Sequence, residues 1–198
     1  MNDCFALLNE RRRPWLDPEA LKQKFLALSS QLHPDRVHGE AQTEKIAAQQ
    51  RYAEINAAYN LLRDPKERLR HLLELEQEKP KDVQRIPSEL ITFFNELNQM
   101  CREADALLVE KGQATSPLLM VQMFDRSQEC TERLVALQLR INSEREGLWA
   151  EIQKIDSDWD TCADRKTVLQ RLEELYRLLS YFTRWSGQLQ ERIVRLAL

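Results

Sequence analysis

The sequence predicts an all-α protein, and three observations carry that expectation. Turn-forming residues are few, with 4 glycines and 7 prolines in 198 residues. Charged residues make up 31% and hydrophobic ones 42%, the balance of a well-solvated helical chain with enough apolar surface for a core. Apolar residues recur at steps of three and four along most of the chain, the spacing of one helical face.

The first strong helix start is Asp17-Pro18-Glu19. Asp suits the N-cap, Pro the first helical position, and Glu the positive end of the helix dipole. Leu21, Phe25, Leu28 and Leu32 then form an apolar stripe, and the helix should stop at about Leu32. It stops there because His33-Pro34-Asp35 follows: proline fixes its own φ and pushes the preceding residue out of the helical region. Asp35 is thereby presented on a stiff turn. Pro-Asp is also an ordinary turn signal, so the tripeptide gains meaning only from its frame.

A second helix should span about Thr43 to Arg63, with Ala48, Tyr52, Ile55, Tyr59 and Leu62 on its apolar side. Asp64-Pro65 breaks it and starts a short segment from Lys66 to Leu75, and another short helix should hold Phe5 to Leu8. These pieces make an antiparallel helical hairpin with short flanking helices, residues 1–76. Residues 77–87 read as a linker, charged and carrying Pro80 and Pro87.

Residues 88–198 hold three long helical patterns. The first, about Ser88 to Lys111, carries Leu90, Phe94, Leu97, Cys101, Ala104 and Leu108 in phase. Gly112 and Ser116-Pro117 mark a stop and restart. The second runs from about Pro117 into the region of Ile152, and the third from about Ala163 to the C-terminus, with Asp158 or Asp160 as its expected cap. Three such patterns with short connections predict an antiparallel three-helix bundle. Phe93, Met100 and Leu107 lie beside the first stripe. They widen the core face or offer a strip to a partner; Met100 and Leu107 are assigned to the core, while Phe93 fits either role.

Charge and motifs exclude several function classes. A net charge of −3 gives no general attraction to nucleic acid. No run of about twenty apolar residues predicts a membrane span. Arg11-Arg12-Arg13 is preceded by Asp3 and Glu10 and lacks an apolar stretch, so no targeting peptide is expected. Cys4, Cys101, Cys130 and Cys162 are widely separated and make neither a zinc motif nor a disulfide framework. They are expected to be reduced and mostly buried, in a cytoplasmic protein. Asp156-Ser157-Asp158-Trp159-Asp160 begins like a calcium loop, but Thr161 and Thr167 stand where Gly and Glu are required. No glycine-rich phosphate loop is present. Neither a cofactor, a metal nor an enzymatic activity is expected.

The frame of the tripeptide is specific. An apolar helix ends in Leu32-His33-Pro34-Asp35-Arg36, and Ile55-Asn56-Ala57-Ala58-Tyr59-Asn60-Leu61-Leu62-Arg63-Asp64-Pro65 closes the next helix. Together they resemble a J-domain, whose two long helices are joined by a His-Pro-Asp loop. That resemblance implies docking on a DnaK/HscA-type heat-shock chaperone and stimulation of its ATPase. His33, Pro34 and Asp35 would form the contact loop. Lys22, Lys24 and Arg36 would supply a basic patch, or else simply solvate the helix face.

The remainder has no Gly/Phe-rich tract and no zinc module. The run Arg68-Leu69-Arg70-His71-Leu72-Leu73-Glu74-Leu75, with Met123-Phe124-Asp125, Asp158-Trp159-Asp160, Arg177-Leu178-Leu179 and Gln188 to Ile193, is similar to the HscB-type J-proteins of iron–sulfur cluster assembly. This implies that residues 88–198 form the HscB oligomerisation and scaffold-binding type of bundle and hold an IscU-type scaffold protein. Phe93, Phe94 and Leu97, with Leu178 from the last helix, would take the apolar places of the client patch. The chain departs from that pattern in two places. Asn95, Asn98 and Cys101 stand where acids are expected, and the bundle is longer around Arg140 to Gly147. Two other readings stay open: a J-domain co-chaperone with a different client, and a structural helical adaptor whose tripeptide is an ordinary turn.

Overall fold

The computed structural model describes residues 2–31, 42–76 and 86–198. Among these there is no strand. The helices are α1 (Cys4–Leu7), α2 (Pro18–Gln31), α3 (Gln42–Arg63), α4 (Pro65–Glu76), α5 (Ile91–Gln113), α6 (Pro117–Ser157) and α7 (Arg165–Ala197), with a 3-10 turn at Ser88–Leu90 before α5. The all-α expectation is met, and each helix lies close to its periodic segment in the sequence.

Local chemistry sets the boundaries. Asp3 caps α1 by accepting the amides of Phe5 at 3.0 Å and Ala6 at 3.2 Å on Oδ1. Asp17 caps α2 by accepting the Ala20 amide at 2.7 Å, which leaves Pro18 at the first position, where its missing N–H costs nothing. Asp64 ends α3 and starts α4, accepting the amides of Lys66 at 2.9 Å and Glu67 at 3.1 Å. Ser116 accepts the Leu119 amide at 3.2 Å and opens α6. The cap of α7 differs from expectation. It is Asp164, which accepts the Thr167 amide at 3.2 Å, and not Asp158 or Asp160. Those two lie further back, in the turn after α6, where a cap cannot reach the orphan N–H groups of α7.

Packing divides the chain into two compact units that are not contiguous in sequence: Met1–Lys81 with Ala150–Tyr176, and Asp82–Trp149 with Arg177–Leu198. In the first, α1 and α2 pack on α3, and α3 packs on α4. Phe25 of α2 stacks on Tyr59 of α3 with ring centroids 4.2 Å apart. Leu21, Ile55, Ala58 and Leu62 are buried with Leu69, Leu72 and Leu73 of α4.

The second unit is a three-helix bundle. Its ion pairs fix the directions. Glu96, Glu103 and Glu110 ascend α5 while their partners Arg140, Arg133 and Arg126 descend α6, so these helices are antiparallel. Phe93 meets Phe182 and Asp105 meets Arg192, so α5 and α7 run parallel. The core is built from Leu97, Ala104, Leu134, Leu137, Ile141, Phe182, Trp185 and Leu189 among others, with Met100 and Leu107 also buried.

Candidate functional site

The tripeptide His33-Pro34-Asp35, together with Arg36, lies outside the described residues. What the structure places is the helix that leads into it. Leu21 is buried and Phe25 and Leu28 are half-buried, which turns Lys22 and Lys24 outward. Their side chains are 53% and 45% exposed. Lys22 sits 3.7 Å from Glu19 on the same helix. Lys24 is held more firmly, at 2.8 Å from Glu10 and 3.2 Å from the Asn9 carbonyl. Asn9 adopts φ 54°, a left-handed conformation that Asn tolerates better than most residues, and this aims its carbonyl at α2. The two lysines therefore differ. Lys22 is paired only within its own helix, whereas Lys24 is held by residues outside α2.

Around Arg68 and Asp156 lies a buried polar knot that sequence reasoning missed. Arg68 of α4 is only 2% exposed. Its Nε donates to the Pro14 carbonyl at 3.1 Å and its Nη1 to the Leu62 carbonyl at 2.9 Å, while the guanidinium lies 5.4 Å from the Trp15 ring centre. Burial lowers its pKa to about 10, against the attraction of Asp156 and Asp64, so it remains charged at neutral pH. Asp156 receives Arg13 through Nε and Nη2 and also accepts the Trp15 amide at 3.0 Å. Trp159 is buried and donates its indole N–H to the Arg12 carbonyl at 2.7 Å, and Arg165 covers its ring. Arg12 and Arg13 thus act as tertiary staples, reaching Asp3 and Asp156, while Arg11 makes only a long, exposed contact with Asp160. The only trace in the sequence was the pairing of a basic triplet with a distant acidic run.

His71 adds a second buried contact. Its Nε2 accepts the Cys4 amide at 3.0 Å, and its ring stacks on Phe5. An accepting nitrogen must be unprotonated, and burial lowers the His71 pKa below its ordinary value.

The proposed client residues separate into two groups. Phe93, Phe94 and Leu178 are half-buried and rest on the bundle core. Phe93 meets Phe182 edge-on and carries the Arg140 guanidinium 5.1 Å from its ring centre. Phe94 leans on Trp185. Leu97 is a correction: at 1% exposure it is core, because its position on α5 points between α6 and α7, and a partner cannot reach it. Ile91, which sequence reasoning did not select, is 47% exposed on the same helix. Asn95 is exposed and Asn98 half-exposed, on the same outward face.

Among the described residues no cluster of His, Cys, Asp or Glu could hold a metal ion, and no helix is long and apolar enough to cross a membrane. The four cysteines are free; Cys101 and Cys130 are buried, while Cys4 and Cys162 are half-exposed. Burial raises the thiol pKa of both Cys101 and Cys130.

Comparison with known proteins decides how this geometry is read. Residues 3–71 match the DnaJ domain, a span that includes both the hairpin helices and the tripeptide between them. The chain carries a DnaJ domain. Over nearly its full length this J-domain protein also shares its fold with two solved structures. Chaperone HscB from Vibrio cholerae is 18% identical, with a TM-score of 0.63 and 96% of each chain covered. The human co-chaperone protein HscB is 18% identical, with a TM-score of 0.60, covering 98% of this chain and 81% of that one. The J-domain protein thus has the HscB architecture, a DnaJ domain followed by a helical C-terminal region.

Proposed function

We propose that this J-domain protein stimulates the ATPase of a DnaK/HscA-type chaperone and delivers an IscU-type scaffold protein to it during iron–sulfur cluster assembly. The observation that carries the first half is the DnaJ-domain match together with His33-Pro34-Asp35 between two amphipathic helices. Asp35 would offer a carboxylate to a basic site on the chaperone, with His33 and Pro34 holding the turn. Lys22 and Arg36 would face acidic groups on the partner, and Lys24 would contribute only if it released Glu10. The working division is residues 1–76 as the J-domain, 77–87 as linker and 88–198 as the client-holding bundle.

The second half rests on the HscB-like fold and on the half-buried apolar side chains of the bundle. Phe93, Phe94 and Leu178, joined by Ile91, are the proposed client contacts. Because Asn95 and Asn98 replace the acids expected on this face, the contact would depend more on apolar burial than on charge. Its affinity should therefore change little with salt.

The decisive experiment pairs two measurements. Asp35→Asn should abolish stimulation of the chaperone ATPase while leaving the melting curve unchanged; unaltered stimulation refutes the co-chaperone role. Titration of the full chain with an IscU-type scaffold should show saturable binding. Absence of binding, with ATPase stimulation intact, would leave a J-domain co-chaperone with a different client.

A further inference from the structure

Ion pairs join α5 to α6 at Glu96–Arg140, Glu103–Arg133 and Glu110–Arg126, so that the glutamates recur every seven residues along α5. Three residues before each glutamate, and so on the same face of the helix, stand Phe93, Met100 and Leu107. The three levels are alike in charge and differ in what occupies that place. Met100 and Leu107 are each 6% exposed and belong to the core. Phe93 is half-buried, and it is one of the proposed client contacts. The arginine at this level, Arg140, therefore lies against a ring that a partner can reach.

Arg140 makes two contacts at once. Its Nη1 donates to Glu96 Oε1 at 2.6 Å, and its guanidinium carbon lies 5.1 Å from the centre of the Phe93 ring. The same ring packs at 82° to Phe182, and Phe182 meets Trp185, on which Phe94 leans. A cation over an aromatic face is attracted by the ring quadrupole. A planar guanidinium can keep that stack while its edge bonds a carboxylate, which a single ammonium does less well. Phe93 is thus held between a core ring and an anchored cation, although it is only half-buried. We propose that Arg140 is a positioning residue for the client contact: anchored on Glu96, it fixes the Phe93 ring in the orientation that the client meets. This rests on the client reading of Phe93, Phe94 and Leu178 given above. A half-buried ring that is ordered in advance spares the complex the cost of ordering it on binding. Glu96 already answers the charge of Arg140, so the role assigned to the arginine is orientation and not the attraction of an acidic group. It gives α6 a share in a surface whose side chains come from α5 and α7.

The test titrates an IscU-type scaffold protein into the full chain by isothermal calorimetry, with thermal melts of each variant alongside. Arg140→Ala should weaken binding about threefold to tenfold, the worth of ordering one side chain in advance. Arg140→Lys should restore part of that loss. Arg126→Ala breaks the same kind of ion pair about 21 Å away along α6 and should leave the affinity unchanged. Both alanine variants should melt close to the native chain, since exposed ion pairs contribute little. Phe93→Leu keeps an apolar side chain but removes the ring; in that background Arg140→Ala should have no further effect on affinity. A loss that persists there makes Arg140 a direct client contact and overturns the proposal. So does unchanged affinity of Arg140→Ala, or an equal loss from Arg126→Ala. Absence of saturable binding by the native chain instead refutes the client reading itself, and the proposal with it.

Discussion

Arg13 grips Asp156 through two nitrogens, Nη2 to Oδ2 at 2.6 Å and Nε to Oδ1 at 2.9 Å, across 143 residues of sequence. The Asp156 side chain is only 10% exposed and also accepts the Trp15 amide. Charge-assisted, two-pronged geometry of this kind is among the stronger polar contacts a protein makes. It joins the loop before α2 to the end of α6, and Arg68 lies close enough to feel the same carboxylate.

Asp156→Ala removes the acceptor and leaves Arg13 and the Trp15 amide unpaired. The expected loss is about 2–3 kcal/mol, the range for hydrogen bonds to charged groups in poorly solvated sites. Urea unfolding should show a lower midpoint with an unchanged slope. Asp160→Ala is the control. Its contact with Arg11 is 3.8 Å long between side chains 83% and 60% exposed, so its effect should stay within about 0.5 kcal/mol.

Arg68→Ala should be more damaging than any surface arginine replacement. It strips two buried carbonyls, those of Pro14 and Leu62, of their donor and removes the cation beside Trp15. About 2–4 kcal/mol is expected from unsatisfied acceptors together with lost packing. Arg68→Lys should recover only part of this, because a single ammonium cannot span both carbonyls as the planar guanidinium does. Thermal melts of both variants check the order.

His71 should make stability depend on pH. Burial lowers its folded-state pKa below the ordinary 6.5, so the unfolded chain takes up the proton first. The contribution is intact above about pH 6.5 and is lost as pH falls through the folded value. Urea unfolding from pH 7.5 down to 5 should therefore show declining stability. His71→Gln keeps an acceptor for the Cys4 amide but cannot be protonated; it should flatten that decline, and an unaltered slope would assign it to other groups.

Asp164→Ala should lower the melting temperature, because it removes the N-cap of α7. The carboxylate accepts the Thr167 amide through Oδ1 and the Thr167 hydroxyl at 2.6 Å through Oδ2. Asp164→Asn should restore most of the loss, since the amide oxygen can still accept the backbone N–H. Circular dichroism melts measure both.

Ile91 and Phe93 should separate binding from folding. Ile91 is 47% exposed, so Ile91→Ser should weaken scaffold binding without moving the melting temperature. Phe93 packs edge-on against Phe182 beneath Arg140, so Phe93→Ala should weaken binding and also cost about 1–2 kcal/mol of stability. Isothermal titration with the scaffold, set beside thermal melts, distinguishes the two behaviours.

Much of this molecule was written locally. The periodicity of Leu21 to Leu32, of Ile55 to Leu62 and of Leu90 to Leu108 placed helices close to where they occur, because a helix that buries one face must repeat its apolar residues near 3.6. Asp17-Pro18 and Asp64-Pro65 marked boundaries because capping and proline geometry act within three residues. The His-Pro-Asp frame, and with it the J-domain, was legible for the same reason: both motifs are short and lie at a fixed separation. The cap of α7 was misplaced by a few residues, since four aspartates, Asp156, Asp158, Asp160 and Asp164, compete in one short stretch. Only the tertiary structure showed that Asp156 belongs to Arg13 and that Trp159 belongs to the Arg12 carbonyl. It alone buried Leu97, exposed Ile91 and Phe124, and withdrew Arg68 from water. The physical reason is range. Propensity, capping and turn chemistry are decided by neighbours in sequence, whereas burial and pairing depend on which helix face arrives opposite which, across spans as long as the 143 residues between Arg13 and Asp156.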